Sequence, residues 1–122
     1  MRPGTALTGV EIIMLTVKWV KLATGGFPPL KNVGLSNVTA RGVYVIWKQS
    51  AIVRVGQGDI KSKLTAHRND AAILTHGDLY VSWAVVREQY MDGVERFLAN
   101  HYRPLIGDAF PDVHPIQVNL VA

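Results

Sequence analysis

The most regular hydrophobic pattern in this chain begins at residue 42, where two runs rich in β-branched and aromatic residues follow one another. Residues 42–48 (GVYVIWK) and 51–56 (AIVRVG) both have a composition that is typical of β-strands. Only Gln49 and Ser50 separate the two runs, and such a short polar connection favours a tight turn. The pattern therefore predicts a β-hairpin over residues 42–56.

A helix is predicted directly after this hairpin. The tripeptide at residues 56–58 (GQG) is expected to end the second strand, because glycine weakens strands and favours turns. Asp59 is a good N-cap, and the helix that it opens is expected to run to about Asn69. Three residues at i, i+4 and i+7 share one face of this helix: Ile60, Leu64 and His67.

The second half of the chain contains another strand and another helix. Residues 79–86 (LYVSWAVV) are almost continuously apolar, which predicts a central strand covered on both faces. A second helix is predicted from about Met91 to Tyr102, with Pro104 ending it. The apolar stripe of this helix consists of Val94, Phe97, Leu98 and His101 with Tyr102.

Outside this β-β-α-β-α order, the chain is expected to be irregular. A brief strand is predicted around residues 15–21, before the breaker cluster at residues 25–29 (GGFPP), and a short extended segment at residues 116–121. The order favours an α/β (α+β) fold with a small central mixed or antiparallel β-sheet flanked by helices. We expect residues 41–122 to form this domain and residues 1–40 to be a leader with a strand and loop segment that packs on it.

Composition and charge narrow the function classes. The chain has 122 residues, of which 48% are apolar and 18% charged, so we expect one domain with a real hydrophobic core. The net charge of +4 is compatible with a polyanionic partner such as nucleic acid. Because the sequence contains no cysteine, disulfides, a thiol nucleophile and thiolate metal clusters are excluded.

The first 20 residues match neither a membrane span nor a typical signal peptide. The longest apolar stretch, residues 10–20, contains Glu11 and Lys18 and is shorter than the ~20 residues that a transmembrane helix needs. We therefore expect a cytoplasmic protein with no membrane partner. Met14 would itself be a natural start, so residues 1–13 are interpreted as an upstream mis-start or as a disordered leader.

This sequence does not match the motifs of several common functional sites. The tripeptide at residues 56–58 lacks the third glycine of a dinucleotide-binding loop and the Gly-Lys-Ser/Thr of a P-loop. No serine has the surroundings of a nucleophile elbow, and the four histidines lack paired ligand spacing. His67 and Asp70, three residues apart, are only a weak indication of a metal site.

An ordered set of short motifs carries more information than any single residue. The set consists of Gly42-Val43-Tyr44, Arg54-Val55-Gly56, Lys63 and His67 on the first helix, and Glu95 on the second. In this order the chain resembles the GIY-YIG nuclease family, named for two strand motifs that correspond here to GVY and RVG. The resemblance covers about the C-terminal two-thirds of the chain, including GVERFLANHYRP at residues 93–104 and the late Asn119.

The resemblance implies hydrolysis of phosphodiester bonds with one divalent metal ion, Mg²⁺ or Mn²⁺. Tyr44 would then activate or orient water, and Glu95 would be the metal ligand, an oxygen donor that suits a hard cation. Lys63 and Arg54 would neutralise phosphate, and His67, on the same helical face as Lys63, would share or relay a proton. Two further residues are expected to support the site: Gly56 and Asn119.

Two positions depart from the family's pattern. Arg54 stands where the second motif usually opens with tyrosine, and Lys63 stands where the helix usually carries arginine, after a loop one residue shorter than usual. Lysine offers a compact point charge and lacks the planar fork by which arginine binds phosphate. A cation at Arg54 would also lower the pKa of Tyr44 and favour its role as a base. The departures equally fit a degenerate site.

Each candidate residue also has an ordinary structural interpretation. Tyr44 would be a packing residue in a strand, Glu95 a solvated acid on a helix, and His67 a histidine at the edge of the core. Arg54 and Lys63 would be ordinary solubilising charges. The tryptophans are expected in the core or at an interface: Trp19, Trp47 and Trp83.

From the sequence we expect a metal-dependent DNA endonuclease. The alternative is a catalytically degenerate nucleic-acid-binding or interaction module on the same scaffold, and a third hypothesis is a homodimeric structural protein. No helix-turn-helix or zinc finger is visible in the sequence. Specificity for DNA would therefore come from recognition of its shape, from a homodimer or from a partner protein.

Overall fold

The structure is a computed structural model that describes residues 14–107 and 110–121. The expected leader at residues 1–13 lies outside the described residues. The described chain has an α+β fold, which confirms the expected class. Its elements in chain order are β1 (Met14–Leu15), β2 (Arg41–Lys48), β3 (Ala51–Asp59), α1 (Ile60–Arg68), α2 (Ala71–Leu74), β4 (Tyr80–Val85), α3 (Glu88–Tyr102) and β5 (Gln117–Val118).

A three-stranded antiparallel sheet with the order β3-β2-β4 forms the centre of the fold. β2 and β3 are the predicted hairpin, connected by Gln49 and Ser50. On its other side β2 pairs with β4, from Gly42 opposite Val85 to Trp47 opposite Tyr80. The prediction that residues 79–86 form the central strand is wrong, because β4 is an outer strand. Its residues 81–84 are nevertheless buried, since neighbouring segments cover this strand.

The predicted break at residues 56–58 is also wrong, because β3 continues through them to Asp59. Gly56 lies opposite Tyr44 in the register, and a Cβ atom on Gly56 would overlap the tyrosine ring. Gly58 has a φ angle of +129°, which residues with a side chain rarely adopt. The two glycines therefore allow close packing and an unusual backbone angle within the strand, and they do not end it.

The first helix begins as predicted. The Asp59 carboxylate accepts a hydrogen bond from the Ser62 N–H at 3.0 Å and so caps the N-terminus of α1. The helix ends at Arg68, one residue before the expected end, and buries Ile60 and Leu64. The short α2 that follows was not predicted from the sequence.

The second predicted helix is α3, which begins at Glu88, earlier than the expected Met91, and ends at Tyr102 as expected. Arg103 adopts the left-handed conformation with φ of 50°, and its N–H donates to the Ala99 carbonyl. Most of the predicted apolar stripe faces the sheet, because these α3 residues are buried or partly buried in one layer: Met91, Val94, Phe97, Leu98 and Tyr102. The inclusion of His101 in the stripe is wrong, because its side chain is exposed.

The N-terminal segment covers the outer edge of β4. The N–H of Val20 donates to the Trp83 carbonyl, and the Leu30 N–H donates to the Leu79 carbonyl. Between these two points, the Pro28 carbonyl accepts a hydrogen bond from β4. This segment therefore satisfies backbone groups that an outer strand would otherwise leave without a partner.

The predicted strand at residues 15–21 is wrong in its extent. Only Met14–Leu15 form a strand, which pairs in parallel with β5. From Val17 onward the backbone bonds first to the Asn119 side chain and then to β4, so no regular ladder continues. β5 itself confirms the extended segment that was expected within residues 116–121.

Two apolar layers lie on the two faces of the sheet. α1 and α2 cover one face, called the α1 face, and α3 covers the other, called the α3 face. Trp83 is buried on the α1 face and Trp19 on the α3 face, while Trp47 is partly buried, so the expected core location is confirmed. Within residues 14–107 and 110–121, none of the helices combines the length and apolar character needed to cross a bilayer.

Candidate functional site

Tyr44 lies on β2 with its side chain on the α1 face and only 1% of its surface exposed. Its hydroxyl is 2.6 Å from Nε2 of His67 on α1, a short hydrogen bond between residues 23 positions apart. Gly56 on β3 leaves the space that this contact needs, since any side chain there would displace the tyrosine ring. The fold thus brings together three of the residues selected from the sequence.

Arg54 lies on the same sheet face, in register with Ile46 two residues from Tyr44. Burial raises the pKa of Tyr44 to about 12, while the charge of Arg54 and its hydrogen bond to the phenol act in the opposite direction. Arg54 lowers the pKa of Tyr44 as expected, but desolvation outweighs the cation, so the net shift is upward and does not favour the role of a base. Tyr44 keeps its proton at neutral pH.

His67 is also uncharged at neutral pH. Burial is the largest cause that lowers its pKa, and the positive charges of Arg54 and Lys63 lower it further, while Asp70 opposes them. We assign the phenol as the donor in the Tyr44–His67 bond, because the phenol oxygen already accepts from Arg54 and the neutral imidazole offers a lone pair at Nε2. The pair is therefore arranged so that a proton can pass from the hydroxyl to the ring.

Asp70 has a structural role at its position three residues after His67. Its carboxylate accepts a hydrogen bond from the Ala72 N–H at 3.0 Å and caps α2. The weak metal indication of the His67–Asp70 spacing therefore corresponds to a helix cap, with Asp70 acting on His67 only through its charge.

Glu95 approaches this cluster from the other side of the sheet. It lies on α3, 8% exposed, and its pKa is raised mainly by burial, while a hydrogen bond from Gln57 and the charge of Arg54 oppose the increase. Tyr44 and Glu95 thus belong to opposite faces. They are nevertheless electrostatically coupled, since the charge of Glu95 raises the pKa of Tyr44. The residues from the two faces meet along β3, an outer strand that carries both Arg54 and Gln57.

Two residues of this region were missed in the sequence. The Gln57 amide nitrogen donates to Oε1 of Glu95 and to Oδ1 of Asp92, each at 2.7 Å. Asp92 could have been selected from the sequence, because it lies one helical turn before Glu95. Nothing in the sequence indicated Gln57, because its role depends on a helix that begins 31 residues later.

Lys63 lies on the exposed side of α1, next to the end of β3. A Cβ atom on Gly58 would come within 3.0 Å of the Lys63 Cε, so the lysine stem runs along the glycine. Its charge acts on both His67 and Glu95. An exposed cation at this place can meet a phosphate that approaches the end of β3 from solvent.

The hydrogen bonds of Asn119 are made with the N-terminal segment and not with this cluster, so none of them supports the role expected from the sequence. Its side-chain amide accepts from the Val17 N–H at 2.7 Å and donates to the Val17 carbonyl at 2.9 Å. Its backbone carbonyl accepts a hydrogen bond from the Trp19 indole at 2.8 Å. Asn119 therefore connects the two ends of the described chain, where it replaces a strand partner.

The carboxylate of Glu95 fits a hard divalent cation. A carboxylate offers about four lone-pair directions, and the Gln57 contact uses one of them. Mg²⁺ is often bound by one or two carboxylates and completes its shell with water and substrate phosphate oxygens. Over the described residues, no cluster of three or more His, Asp or Glu side chains could hold a metal ion. Any ion at Glu95 would therefore take its further ligands from water and, in the complex, also from the substrate.

Comparison with known proteins adds no family assignment. No protein-family model, no curated protein and no solved structure matches this chain significantly.

Proposed function

We propose that this protein is a metal-dependent endonuclease that hydrolyses phosphodiester bonds in DNA, the activity implied by its resemblance to the GIY-YIG family. One observation carries the proposal: the Tyr44 hydroxyl lies 2.6 Å from Nε2 of His67, and the charge of Arg54 acts on both residues and on the acid Glu95. Phosphodiester hydrolysis needs these three functions together. The cytoplasmic location expected from the sequence remains part of the proposal.

The residues of the cluster have distinct roles in this reaction. The Tyr44 oxygen takes a proton from the attacking water as its own proton moves to Nε2 of His67, which is why a phenol with a high pKa can still act. The resulting hydroxide adds to phosphorus, the P–O bond to the leaving oxygen breaks, and that oxygen takes a proton from solvent while His67 releases to solvent the proton that it gained. Arg54 and Lys63 offset the charge that develops on the phosphate.

Glu95 is the residue that would hold Mg²⁺ or Mn²⁺. The bound ion would supply Lewis-acid stabilisation of the phosphate oxygens, worth several kcal/mol in general. The net charge of +4 would favour association with DNA, and we expect affinity to fall steeply as salt increases.

A second candidate is the degenerate module that binds nucleic acid without cleaving it. The burial of Tyr44, with 1% of its surface exposed, favours this candidate, since a water molecule must reach the hydroxyl for hydrolysis. The location of Tyr44 and Glu95 on opposite faces of the sheet favours it too, since a single hydrolytic site needs both residues on one side. Both candidates give salt-sensitive DNA binding. Only the endonuclease requires a divalent ion and Glu95.

The test uses the full chain with supercoiled plasmid and a four-way DNA junction, in Mg²⁺, in Mn²⁺ and in EDTA. Glu95→Gln is the diagnostic variant, because it keeps the shape and an oxygen acceptor for Gln57 and removes the charge. Glu88→Gln is the matched control, an exposed acid in the first turn of the same helix. We expect nicking that needs the ion, falls by about 10²–10³-fold in Glu95→Gln, and is unchanged in Glu88→Gln.

Two results would contradict the endonuclease. The first is salt-sensitive binding without nicking in either metal, which favours the degenerate module. The second is equal nicking by the wild type and Glu95→Gln. Absence of both binding and nicking would reject both candidates.

A further inference from the structure

The side chain of Gln57 joins β3 to α3 through two carboxylates. Its amide nitrogen donates to Asp92 and Glu95 at the same distance, 2.7 Å. The Gln57 backbone lies opposite Val43 in the sheet, so the amide extends from a strand held by its register. Two carboxylates one turn apart on a helix repel each other, and a donor between them offsets that repulsion.

We propose that Gln57 is a positioning residue for the proposed hydrolysis: it holds the Glu95 carboxylate at the edge of β3, and Asp92 anchors the Gln57 amide. The inference rests on the proposed function, because the orientation of Glu95 affects chemistry only where Glu95 binds the metal ion. Asp92 contributes as a hydrogen-bond acceptor in this arrangement and not as a ligand.

Burial separates the roles of the two acids. Glu95 is 8% exposed, close to the region shared with Arg54, whereas Asp92 is exposed to solvent. A glutamate has several rotatable bonds, and a metal ligand must be held in one geometry to bind well. Partners that orient metal ligands typically change metal affinity or activity by about 10–100-fold when they are removed. Gln57 is placed to act in this way on Glu95.

The first experiment compares Gln57→Leu with the wild type. Isothermal titration with Mn²⁺, without nucleic acid, measures ion binding, and plasmid cleavage measures kcat and KM. We expect Mn²⁺ affinity and kcat to fall by about 10–100-fold in Gln57→Leu, with KM for DNA unchanged within about threefold. Gln89→Leu, on the exposed side of α3, is the matched control and should behave as the wild type.

The second experiment separates anchoring from metal ligation at Asp92. Asp92→Asn keeps an oxygen that accepts from Gln57, so we expect nearly wild-type Mn²⁺ binding and cleavage. Asp92→Leu removes the acceptor and should reproduce most of the Gln57→Leu defect. If Asp92→Asn is as defective as Asp92→Leu, the charge itself is needed and the anchoring role is overturned.

The outcomes distinguish this inference from the proposed function. A wild type that binds Mn²⁺ and nicks DNA, together with a Gln57→Leu variant that does both equally well, overturns only the positioning role. A wild type that does neither overturns the proposed function. In that case the side-chain amide NMR signals of Gln57 still test the contacts: shifts in both Asp92→Leu and Glu95→Gln support them, and unchanged signals overturn them.

Discussion

The two outer strands of the sheet differ in what lies along their edges. On β4, backbone groups of the N-terminal segment pair with the strand at Val20, Pro28 and Leu30. On β3, the segment after α3 pairs only with Ile52 and Val53. In the part of the chain that the structure describes, no strand pairs with the outer side of residues 54–59, and the candidate site lies there.

The two edges of the sheet therefore have different roles: the β4 edge contributes to stability, and the β3 edge carries the polar residues of the candidate site. Where the edge is closed by backbone hydrogen bonds, the contributing side chains are apolar and either partly buried, such as Val20, or fully buried, such as Leu30 at 1% exposure. Where β3 has no outer strand, polar side chains from α1 and α3 meet those of the strand itself. We therefore expect substitutions along β4 to lower the free energy of unfolding, and substitutions along β3 to affect binding and turnover.

The largest expected effect on stability is at Leu30. Leu30→Ala removes a fully buried side chain and should lower the free energy of unfolding by about 2–5 kcal/mol, whereas the exposed Lys63→Ala should change it by less than about 0.5 kcal/mol. Urea titration measures both. In DNA binding the order should reverse, with Lys63→Ala reducing the salt slope by about one. Equal stability losses in the two variants would remove the distinction between the edges.

A smaller effect is expected at Gly56, where a site contact also constrains packing. Gly56→Ala places a methyl group onto the Tyr44 ring and should cost about 1–3 kcal/mol in unfolding free energy. Gly34→Ala is the control, because a Cβ there meets no atom within 4 Å. In a Tyr44→Ala background the cost of Gly56→Ala should shrink, since the colliding ring is gone. An undiminished cost would mean that the clash lies elsewhere.

The smallest effect concerns His67 and pH. Its pKa in the folded protein is lowered below the ordinary value near 6.5, so between these two pKa values the unfolded chain binds more protons. The stability that this residue contributes is complete above pH ~6.5 and is lost as pH falls through the folded pKa. Between pH 7.5 and pH 5.5, the urea midpoint of unfolding should therefore fall more in the wild type than in His67→Gln. His114→Gln, at an exposed position, should retain the wild-type pH dependence.

Local sequence patterns predicted where each helix or strand lies more reliably than they predicted which segments pack beside it. The hairpin, the Asp59 cap and the end of α3 at Tyr102 each depend on residues close in sequence, and all three were correct. The position of β4 was not, because a continuous apolar run shows that a strand is covered without showing what covers it. The segment at residues 18–30 covers it, and its hydrogen bonds to β4 span about 50 residues of sequence or more.

The candidate site shows the same limit. The spacing of Lys63 and His67 follows from one helix, and the motifs of the hairpin place Tyr44 near Gly56. The hydrogen bonds of Asn119 could not be predicted, because its partner, Val17, lies 102 residues away. The pKa of Tyr44 was misjudged for a related reason: the charge of Arg54 is visible in the sequence, but the depth at which the phenol is buried is not.

The sequence by itself determined where the hairpin and the two longer helices form, the turn at residues 49–50, and the order of the polar residues that suggested a nuclease. These properties depend on side-chain periodicity and capping, which act over a few residues. Only the tertiary structure decided that β2 is central, that α3 brings Glu95 to the edge of β3, and that Gln57 joins it to Asp92. Burial and contact between distant segments set these features, because desolvation and hydrogen bonding depend on the packed neighbours of each group.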